Sequence, residues 1–291
     1  MVKKYPVLVL CGRDEKKREV LEDLDPNDEY KVKALLPFLG KRIIDWQLEA
    51  LRESPYCGEI FLLGIQKEMA SFDFPVHFVP IPMISTFGQK LLAGLEYARS
   101  QGLEDNMFVV SSSDTPGITV EPINDFFEIL DNYLDYDFIQ SVVPEDVSKD
   151  VFSDHQRVVA KFKEITVFTG ELYAMSEKGI RTGQKIIDET GSGRRRIRKE
   201  NREKKSSALT PIIRIVLRKP RTWPLIIRFL LGRMTLAKAE KLLEIIGNVK
   251  VKAVIIHDAA FGMDIDLTDD YMKVKKYVSK IKNVPFTEGI S

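Results

Sequence analysis

Residues 32–51 read V-K-A-L-L-P-F-L-G-K-R-I-I-D-W-Q-L-E-A-L, which places a lysine and an apolar turn before an amphipathic helix. Ile44, Leu48 and Leu51 recur at the spacing that puts apolar side chains on one face of a helix. A helix buried along that face is fixed on a core, and the turn before it is fixed as well. We therefore expect Lys33, which lies in this turn, to be held in place as part of a site.

A buried strand precedes this stretch. Residues 6–13, P-V-L-V-L-C-G-R, form an unbroken apolar run that ends near Gly12, as in a strand covered on both faces in a parallel sheet. Similar runs predict further strands at 59–65, 76–81, 138–143 and 251–258 and in the first half of 106–119. Helical patterns between the runs imply crossovers and a mostly parallel sheet. The run 158–170 partly alternates apolar with polar residues and is predicted to be antiparallel.

Composition excludes several classes of protein. The 291 residues include 44 basic and 43 acidic side chains, so a net charge of +1 provides no global attraction to nucleic acid or to an acidic membrane. The two cysteines, Cys11 and Cys57, have no metal-ligand spacing, and so few in a long chain suit a reducing compartment. No apolar run has the length of a signal peptide or a membrane span. We expect a cytoplasmic protein with no nucleic-acid partner and no membrane contact, and a buried, unreactive Cys11.

Three aspartates are candidates for binding a cation. Asp114 follows an apolar strand, and the carboxyl ends of parallel strands are where open α/β sheets bind ligands. Asp264 and Asp266 are two residues apart and share one face of an extended segment. Capping of the turn that follows is the alternative for Asp114. A salt-bridged turn is the alternative for the other two.

A helix is predicted to begin after Ser85. Thr86 and Gln89 have capping-box spacing, so capping is the expected role of Gln89. His77 lies inside an apolar strand without a second ligand at metal spacing, and we expect it to be structural. Thr268 is predicted to cap the last helix, with acidic residues following in its first turn.

The order strand, glycine loop, lysine and helix resembles the start of the molybdenum-cofactor guanylyltransferase-like nucleotidyltransferases, the MobA-like NTP transferases. The resemblance implies an α/β, Rossmann-like three-layer sandwich with a mostly parallel mixed sheet, of the nucleotide-diphospho-sugar transferase type. It also implies Mg²⁺-dependent transfer of a nucleoside monophosphate from a nucleoside triphosphate to a small, phosphorylated acceptor, with release of pyrophosphate.

Carried over position by position, the resemblance makes Lys33, Asp114 and Asp266 the catalytic residues. Asp114 and Asp266 would hold the metal, and Asp264 is a further candidate ligand. The nucleotide would contact Lys33 together with Leu10, Cys11, Gly12, Arg13, Ser85, Gly88 and Gln89. The acceptor would lie near Gly170.

The chain departs from the family after Gly12. Residues 13–32 are longer than the family's loop, are highly charged, and carry Arg13 where the family has a second glycine. We predict a surface loop with at most one helical turn. Lys16, Lys17 and Arg18 would either meet phosphates or form a solvated face.

A second departure is a basic, flexible loop and helical insertion over 192–247, inside a single domain spanning 1–291. Within the basic part, Arg195, Arg198 and Lys199 are candidates for clamping a phosphorylated acceptor, and a solvated surface loop is the alternative. Residues 210–247 predict three helices, of which the middle one is apolar nearly all round. Burial against the sheet is expected for it, with a homodimer or a membrane surface as the alternatives.

Two other functions remain open at this stage. A glycosyltransferase of related fold would use the D-I-D triplet at 264–266 to bind a nucleotide-sugar and metal, although the opening with Lys33 favours the nucleotidyltransferase. A non-catalytic protein that binds a nucleotide or a partner would explain the altered loop at 13–32.

Overall fold

The computed structural model describes residues 2–13, 17–152, 159–183 and 220–288. Its strands are β1 (Tyr5–Leu10), β2 (Pro37–Phe38), β3 (Lys41–Arg42), β4 (Cys57–Leu63), β5 (His77–Val79), β6 (Met107–Ser112), β7 (Phe138–Pro144), β8 (Ala160–Lys161), β9 (Thr166–Ser176) and β10 (Val251–Ile255). Its helices are α1 (Glu19–Leu24), α2 (Ile43–Glu53), α3 (Phe87–Ser100), α4 (Val120–Leu130), α5 (Glu145–Val151), α6 (Trp223–Leu230), α7 (Leu236–Gly247) and α8 (Thr268–Ile281).

The strands form a mixed sheet in the order β10, β7, β9, β6, β1, β4, β5, and β8 pairs with β9 at the side. Pairs β1–β4, β1–β6, β4–β5 and β7–β10 are parallel, whereas β9 is antiparallel to both β6 and β7. The mostly parallel mixed sheet is therefore confirmed. The predicted antiparallel strand at 158–170 is divided into β8 and β9, and β9 continues to Ser176.

Helices cover both faces of the sheet and make three layers. Val7 and Val9 of β1 pack in one cluster with α2 and α4, whereas Leu8 packs with α3 on the opposite face. This alternation follows from the two-residue period of a strand, and it explains why β1 is apolar at every position. Each such fully buried side chain contributes roughly 1.5–3 kcal/mol relative to an exposed one.

The turn that carries Lys33 is fixed by the helix after it, as expected. Residues Lys33–Leu35 form a short 3₁₀ turn, and the β2–β3 hairpin follows with Gly40 at a φ of +77°. Trp46 of α2 donates its indole N–H to the Phe38 carbonyl oxygen over 2.9 Å, which ties the hairpin to the helix.

The described part of the charged loop, residues 17–32, is packed more closely on the protein than a surface loop with one helical turn. Val20 and Leu21 of α1 are buried in a cluster that also contains residues of α8. Asp25 is 2% exposed and accepts the backbone N–H groups of residues 29, 30 and 31 over 2.7–3.1 Å. The carboxylate of Asp25 therefore points into the protein and caps a turn, because these three N–H groups satisfy its hydrogen-bonding capacity.

Two helix predictions need correction. Leu267 is the N-cap of α8 and Thr268 is its first helical residue, because the carboxylate of Asp270, three residues beyond Leu267, accepts the Leu267 N–H over 3.0 Å. The middle helix of the insertion, α6, is only partly buried. Its Leu225, Ile226 and Phe229 pack on a cluster that includes α7, while its other face is exposed. The first predicted helix of the insertion lies outside the described residues.

Among the described residues, no helix combines the length and the apolar character needed to cross a membrane. The single-domain boundary stays a prediction.

Candidate active site

Lys33 is at the centre of the site that the sequence predicts. Its Nζ donates to a carboxylate oxygen of Asp114, to Asp266 Oδ1 over 2.8 Å and to the Ile265 carbonyl oxygen over 2.6 Å. The side chains of Lys33, Asp114 and Asp266 are 15%, 13% and 17% exposed. Three groups separated by up to 233 positions in the chain therefore meet in one partly buried cluster.

The sheet topology brings the cluster together. β1 and β6 are parallel neighbours with Leu10 opposite Ser112, so the loops after them leave the same edge of the sheet. Asp114 lies in the second of these loops. The segment after β10 returns over β9 and β7 to this edge, where the Ile265 N–H donates to the Asp114 carbonyl oxygen over 3.1 Å. That bond places Asp266 beside Asp114.

The carboxylates have the donor chemistry of a site for a hard divalent cation. One potential ligand atom from each of Asp114, Asp264 and Asp266 lies within 4.8 Å of the others. Oxygen ligands of this kind suit Mg²⁺ and Mn²⁺. The Lys33 ammonium bonds two of the same carboxylates, so a cation and Lys33 would compete for these oxygens.

The charges around Lys33 keep it protonated. Burial by itself lowers the pKa of this ammonium, but the negative charges of Asp114 and Asp266 outweigh burial and raise the pKa above its ordinary value. Arg18 adds a second positive charge through its ion pair with Asp266. The sequence is consistent with either phosphate contact or a solvated face for Arg18, and the structure places its side chain at the aspartate cluster. Lys17 instead pairs with Asp28 over 2.8 Å, and Lys16 lies outside the described residues.

The loop after β1 differs from a phosphate cradle made of free backbone N–H groups. The N–H groups of Cys11 and Gly12 donate to the Leu63 carbonyl oxygen over 2.9 and 3.1 Å, and that of Arg13 to the Met83 carbonyl oxygen over 3.2 Å. These donors are already satisfied. A phosphate contact by Leu10, Cys11, Gly12 or Arg13 stays a prediction, and here it would require side chains or a rearranged loop.

Lys90 is a basic residue near this loop that the sequence reasoning missed. It is 7% exposed, and a Cβ added at Gly12 would lie 2.5 Å from its Nζ. A lysine next to Leu91, in a helix whose buried stripe includes Leu95 and Ala98, interrupts the apolar pattern. That interruption was the signal available in the sequence.

Gln47 was also missed. It is 1% exposed on α2, donates to Ser111 Oγ over 2.5 Å, and accepts the Thr115 N–H over 3.3 Å. Gln47 therefore bonds Ser111, which precedes Asp114, and Thr115, which follows it, and so supports the loop that carries Asp114. A polar residue on the apolar face of α2 was its sequence signal.

The remaining predicted residues lie in different surroundings. Gln89 forms the expected capping box, with its N–H donating to Thr86 Oγ1 over 3.2 Å and its side chain accepting the Thr86 N–H over 2.9 Å. Ser85 donates to the Pro82 carbonyl oxygen over 2.8 Å, and Gly88 is buried. Base contact by these three residues stays a prediction.

Gly170 is buried inside β9, and a Cβ there would clash with Ser141 Oγ and lie 3.2 Å from the Phe261 ring. Its backbone therefore serves close packing, and its predicted contact with an acceptor is untested. Cys11 is buried, and burial raises the pKa of its thiol to about 12. Arg195, Arg198 and Lys199 lie outside the described residues.

The mixed, mostly parallel sheet, with helices on both faces and a site at the carboxyl ends of β1 and β6, defines an α/β fold of the nucleotide-diphospho-sugar transferase type. Residues 30–173 match the model of the MobA-like NTP transferase domain. Residues 30–173 are thereby assigned to a family of nucleotidyltransferases. The match includes Lys33 and Asp114 and excludes both the β1 loop and Asp266.

Solved structures share the fold. A hypothetical transferase from Thermus thermophilus is 21% identical, with a TM-score of 0.58 over 92% of this chain and 99% of that one. A CMP:2-keto-3-deoxy-manno-octonic acid synthetase complexed with CTP is 11% identical, with a TM-score of 0.57 over 96% and 100%. An Rv0371c homolog from Mycobacterium sp. strain JC1 is 13% identical, with a TM-score of 0.52 over 97% and 100%. No curated protein gives a significant match to this sequence.

Proposed function

We propose that this protein transfers a nucleoside monophosphate from a nucleoside triphosphate to a small phosphorylated acceptor, with Mg²⁺ bound and with release of pyrophosphate. The observation that carries the proposal is the contact of Lys33 with Asp114 and Asp266 at the carboxyl edge of the sheet. Ligands of open α/β sheets bind at this edge. The family match supports the same conclusion.

Asp114 and Asp266 are proposed to hold the metal, with Asp264 as a third ligand, because their oxygens already lie within 4.8 Å of one another. Bound Mg²⁺ would polarise the α-phosphate and neutralise charge on the phosphates. The chain supplies the fixed carboxylates and keeps them partly out of water, which strengthens their attraction for a cation.

Lys33 is proposed to bind phosphate oxygens when the triphosphate arrives. Its raised pKa keeps it cationic at neutral pH, so it serves as an electrostatic partner and not as a base. Arg18 lies on the same cluster and can add a second positive charge. During transfer, an acceptor oxygen forms a bond to the α-phosphorus while the bond from that phosphorus to the pyrophosphate oxygen breaks.

A phosphorylated acceptor needs no protein base. The second pKa of a phosphate monoester is near ~6, so the attacking oxygen is already ionised at neutral pH. Among the described residues, neither His77 nor His257 belongs to the aspartate cluster, and His77 pairs with Glu59 over 2.7 Å. The chemistry then depends on positioning and charge stabilisation.

The test is release of pyrophosphate from each of the four nucleoside triphosphates, with Mg²⁺ and a panel of phosphorylated acceptors. We expect one nucleotide and acceptor pair to give product, and Asp114→Asn to abolish it. Asp73→Asn, at an exposed aspartate, is the matched control and should retain full activity. Failure of every pair to give pyrophosphate, or full activity in Asp114→Asn, would refute the proposal.

A non-catalytic nucleotide-binding protein is the second candidate. It is favoured by the loop after β1, whose N–H groups at residues 11–13 are bonded to backbone carbonyls and not free for phosphates. Tight, Mg²⁺-dependent binding of a triphosphate without any pyrophosphate release would support this candidate. Preferential binding of a nucleotide-sugar, followed by release of the nucleotide on sugar transfer, would instead support a glycosyltransferase.

A further inference from the structure

Helix α6 carries an apolar ridge on its outer side. Trp223, Ile227 and Leu231, the last of which follows directly after the helix, are spaced four residues apart and are 48%, 57% and 61% exposed. Side chains at this spacing lie one above another on a helix. Three large apolar side chains therefore form a continuous exposed strip, which we call the α6 ridge.

The opposite side of α6 holds the helix on the protein. Leu225, Ile226 and Phe229 pack on a cluster of buried residues that includes Leu242 and Ile246 of α7. The backbone just after α6 is also tied to the rest of the protein, because the Lys163 N–H donates to the Met234 carbonyl oxygen over 2.8 Å. The α6 ridge is thus presented by an anchored helix.

Positively charged residues flank the α6 ridge in the sequence. Residues 220–239 contain Arg221, Arg228, Arg233 and Lys238 and no aspartate or glutamate. The three arginines are exposed, and none forms an ion pair with another described residue. This local excess contrasts with the net charge of +1 for the whole chain.

We propose that the α6 ridge docks on an anionic lipid bilayer. Apolar side chains with a tryptophan at one end enter the boundary between headgroups and acyl chains, while flanking arginines remain among the lipid phosphates. A second copy of this chain fits less well, because facing two ridges would bring six arginines together, and residues 220–239 contain no acidic side chain to pair with them. The sequence-based expectation of no membrane contact rested on the net charge of the whole chain, whereas the positive charge beside the α6 ridge is local.

Tryptophan emission gives a direct test with the full chain. Trp46 is 5% exposed and Trp223 is 48% exposed, so a change caused by vesicles reports on Trp223. We expect vesicles of phosphatidylcholine and phosphatidylglycerol in equal parts to shift the emission to the blue and to sediment the protein. Vesicles of phosphatidylcholine alone should do so weakly. Binding should decrease as salt is added, because screening weakens attraction between exposed charges.

Substitutions in the α6 ridge test whether this ridge is responsible for vesicle binding. Ile227→Ser with Leu231→Ser should weaken binding by about tenfold or more through lost apolar burial. Arg228→Gln with Arg233→Gln should weaken it by roughly fivefold for each charge removed. Ile281→Ser, which replaces an apolar residue of α8 that is 39% exposed, is the matched control and should bind like the wild type. Unchanged thermal melting will show that the variants fold.

Three results would overturn the proposal. Vesicle binding could be absent at every lipid composition. Binding could be equal in the ridge variant and in the wild type, which would place the contact elsewhere. Finally, sedimentation equilibrium could show a dimer that the ridge variant dissociates, which would make a second copy the occupant.

Discussion

Replacing Lys33 by methionine should destabilise the protein strongly, and added Mg²⁺ should restore part of the loss. Lys33 Nζ bonds two carboxylates and a carbonyl oxygen, and its side chain is 15% exposed. Without it, Asp114, Asp264 and Asp266 would repel one another, and Arg18, which pairs with Asp266, would offset this repulsion in part. Breaking a buried ion pair costs about 3–5 kcal/mol, and partial exposure argues for the lower end.

The expected loss of about 3 kcal/mol corresponds to a decrease of roughly 6–10 °C in the melting temperature for a chain of this size. Millimolar Mg²⁺ should raise the melting temperature of Lys33→Met more than that of the wild type, because a bound cation replaces the missing charge. Calorimetric scans with Mg²⁺ and with a chelator measure both effects.

A second substitution separates charge from packing. Adding Asp114→Asn to Lys33→Met removes one of the repelling carboxylates, so the double variant should be more stable than Lys33→Met alone and should respond less to Mg²⁺. Asp73→Asn in the same background is the control and should change neither quantity. Equal stabilisation of all variants by Mg²⁺ would show that the cation binds elsewhere and would refute the reasoning.

Three further predictions concern Gln47, Gly12 and the two buried cysteines. Gln47→Leu should cost about 2–4 kcal/mol and should reduce turnover more than nucleotide binding, because the buried Ser111 hydroxyl and Thr115 N–H lose their partner. Gly12→Ala should destabilise by more than Gly102→Ala, since a Cβ at Gly12 would clash with the backbone carbonyl oxygen of Met83, which cannot move aside cheaply, whereas Gly102, at a φ of +84°, has open space and only backbone strain. Burial raises the pKa of Cys11 and of Cys57 to about 12, so both thiols should resist maleimide at pH 8 in the native state.

The thiols also set a pH dependence. Above about pH 9 the unfolded chain releases thiol protons that the native chain keeps, so the free energy of unfolding should fall by up to about 1.4 kcal/mol per pH unit for each thiol. Denaturant titrations at pH 8 and pH 10 measure this, and Cys57→Ala should reduce the slope. Equal melting temperatures for Gly12→Ala and Gly102→Ala would contradict the prediction for Gly12. Wild-type stability and turnover in Gln47→Leu would contradict the prediction for Gln47. Rapid maleimide labelling of the native protein would contradict the prediction for the thiols.

Lys33 and Asp114 became candidates because each lies next to a strong local pattern, whereas Asp266 was preferred over Asp264 through the family resemblance. A buried strand has a recognisable end, and an apolar helix face fixes the turn before it. Parallel neighbours then place these ends at one edge of the sheet. Once the order of the strands in the sheet is known, the topology of the sheet explains why the three side chains meet.

Other features depended on partners far away in the chain. Gln47 contacts Ser111 and Thr115, which are 64 and 68 positions away, and nothing near Gln47 in sequence indicates them. The loop at 13–32 looked like a solvated loop because its charges dominate, although Val20 and Leu21 anchor it on α8. Local patterns cannot show which charges are satisfied by tertiary contacts.

For helix α6 the sequence predicted more burial than the structure shows. Its nearly all-round apolar sequence predicted burial, but in the described part of the chain α7 and the neighbouring cluster cover one side of it, and Trp223 and Ile227 are exposed. Apolar periodicity tells which residues avoid water, and the fold decides how many faces are covered. The exposed face of α6 was therefore visible only after the helices were packed.

Electron paramagnetic resonance of Mn²⁺ tests the metal and nucleotide site most directly, because Mn²⁺ shares the oxygen-ligand preference of Mg²⁺. With a nucleoside triphosphate present, the wild type and Asp73→Asn should remove the signal of free Mn²⁺ at one site per chain. Asp114→Asn and Asp266→Asn should bind Mn²⁺ far more weakly at unchanged fold. Mn²⁺ binding by these two variants at wild-type strength would contradict the assignment of the site.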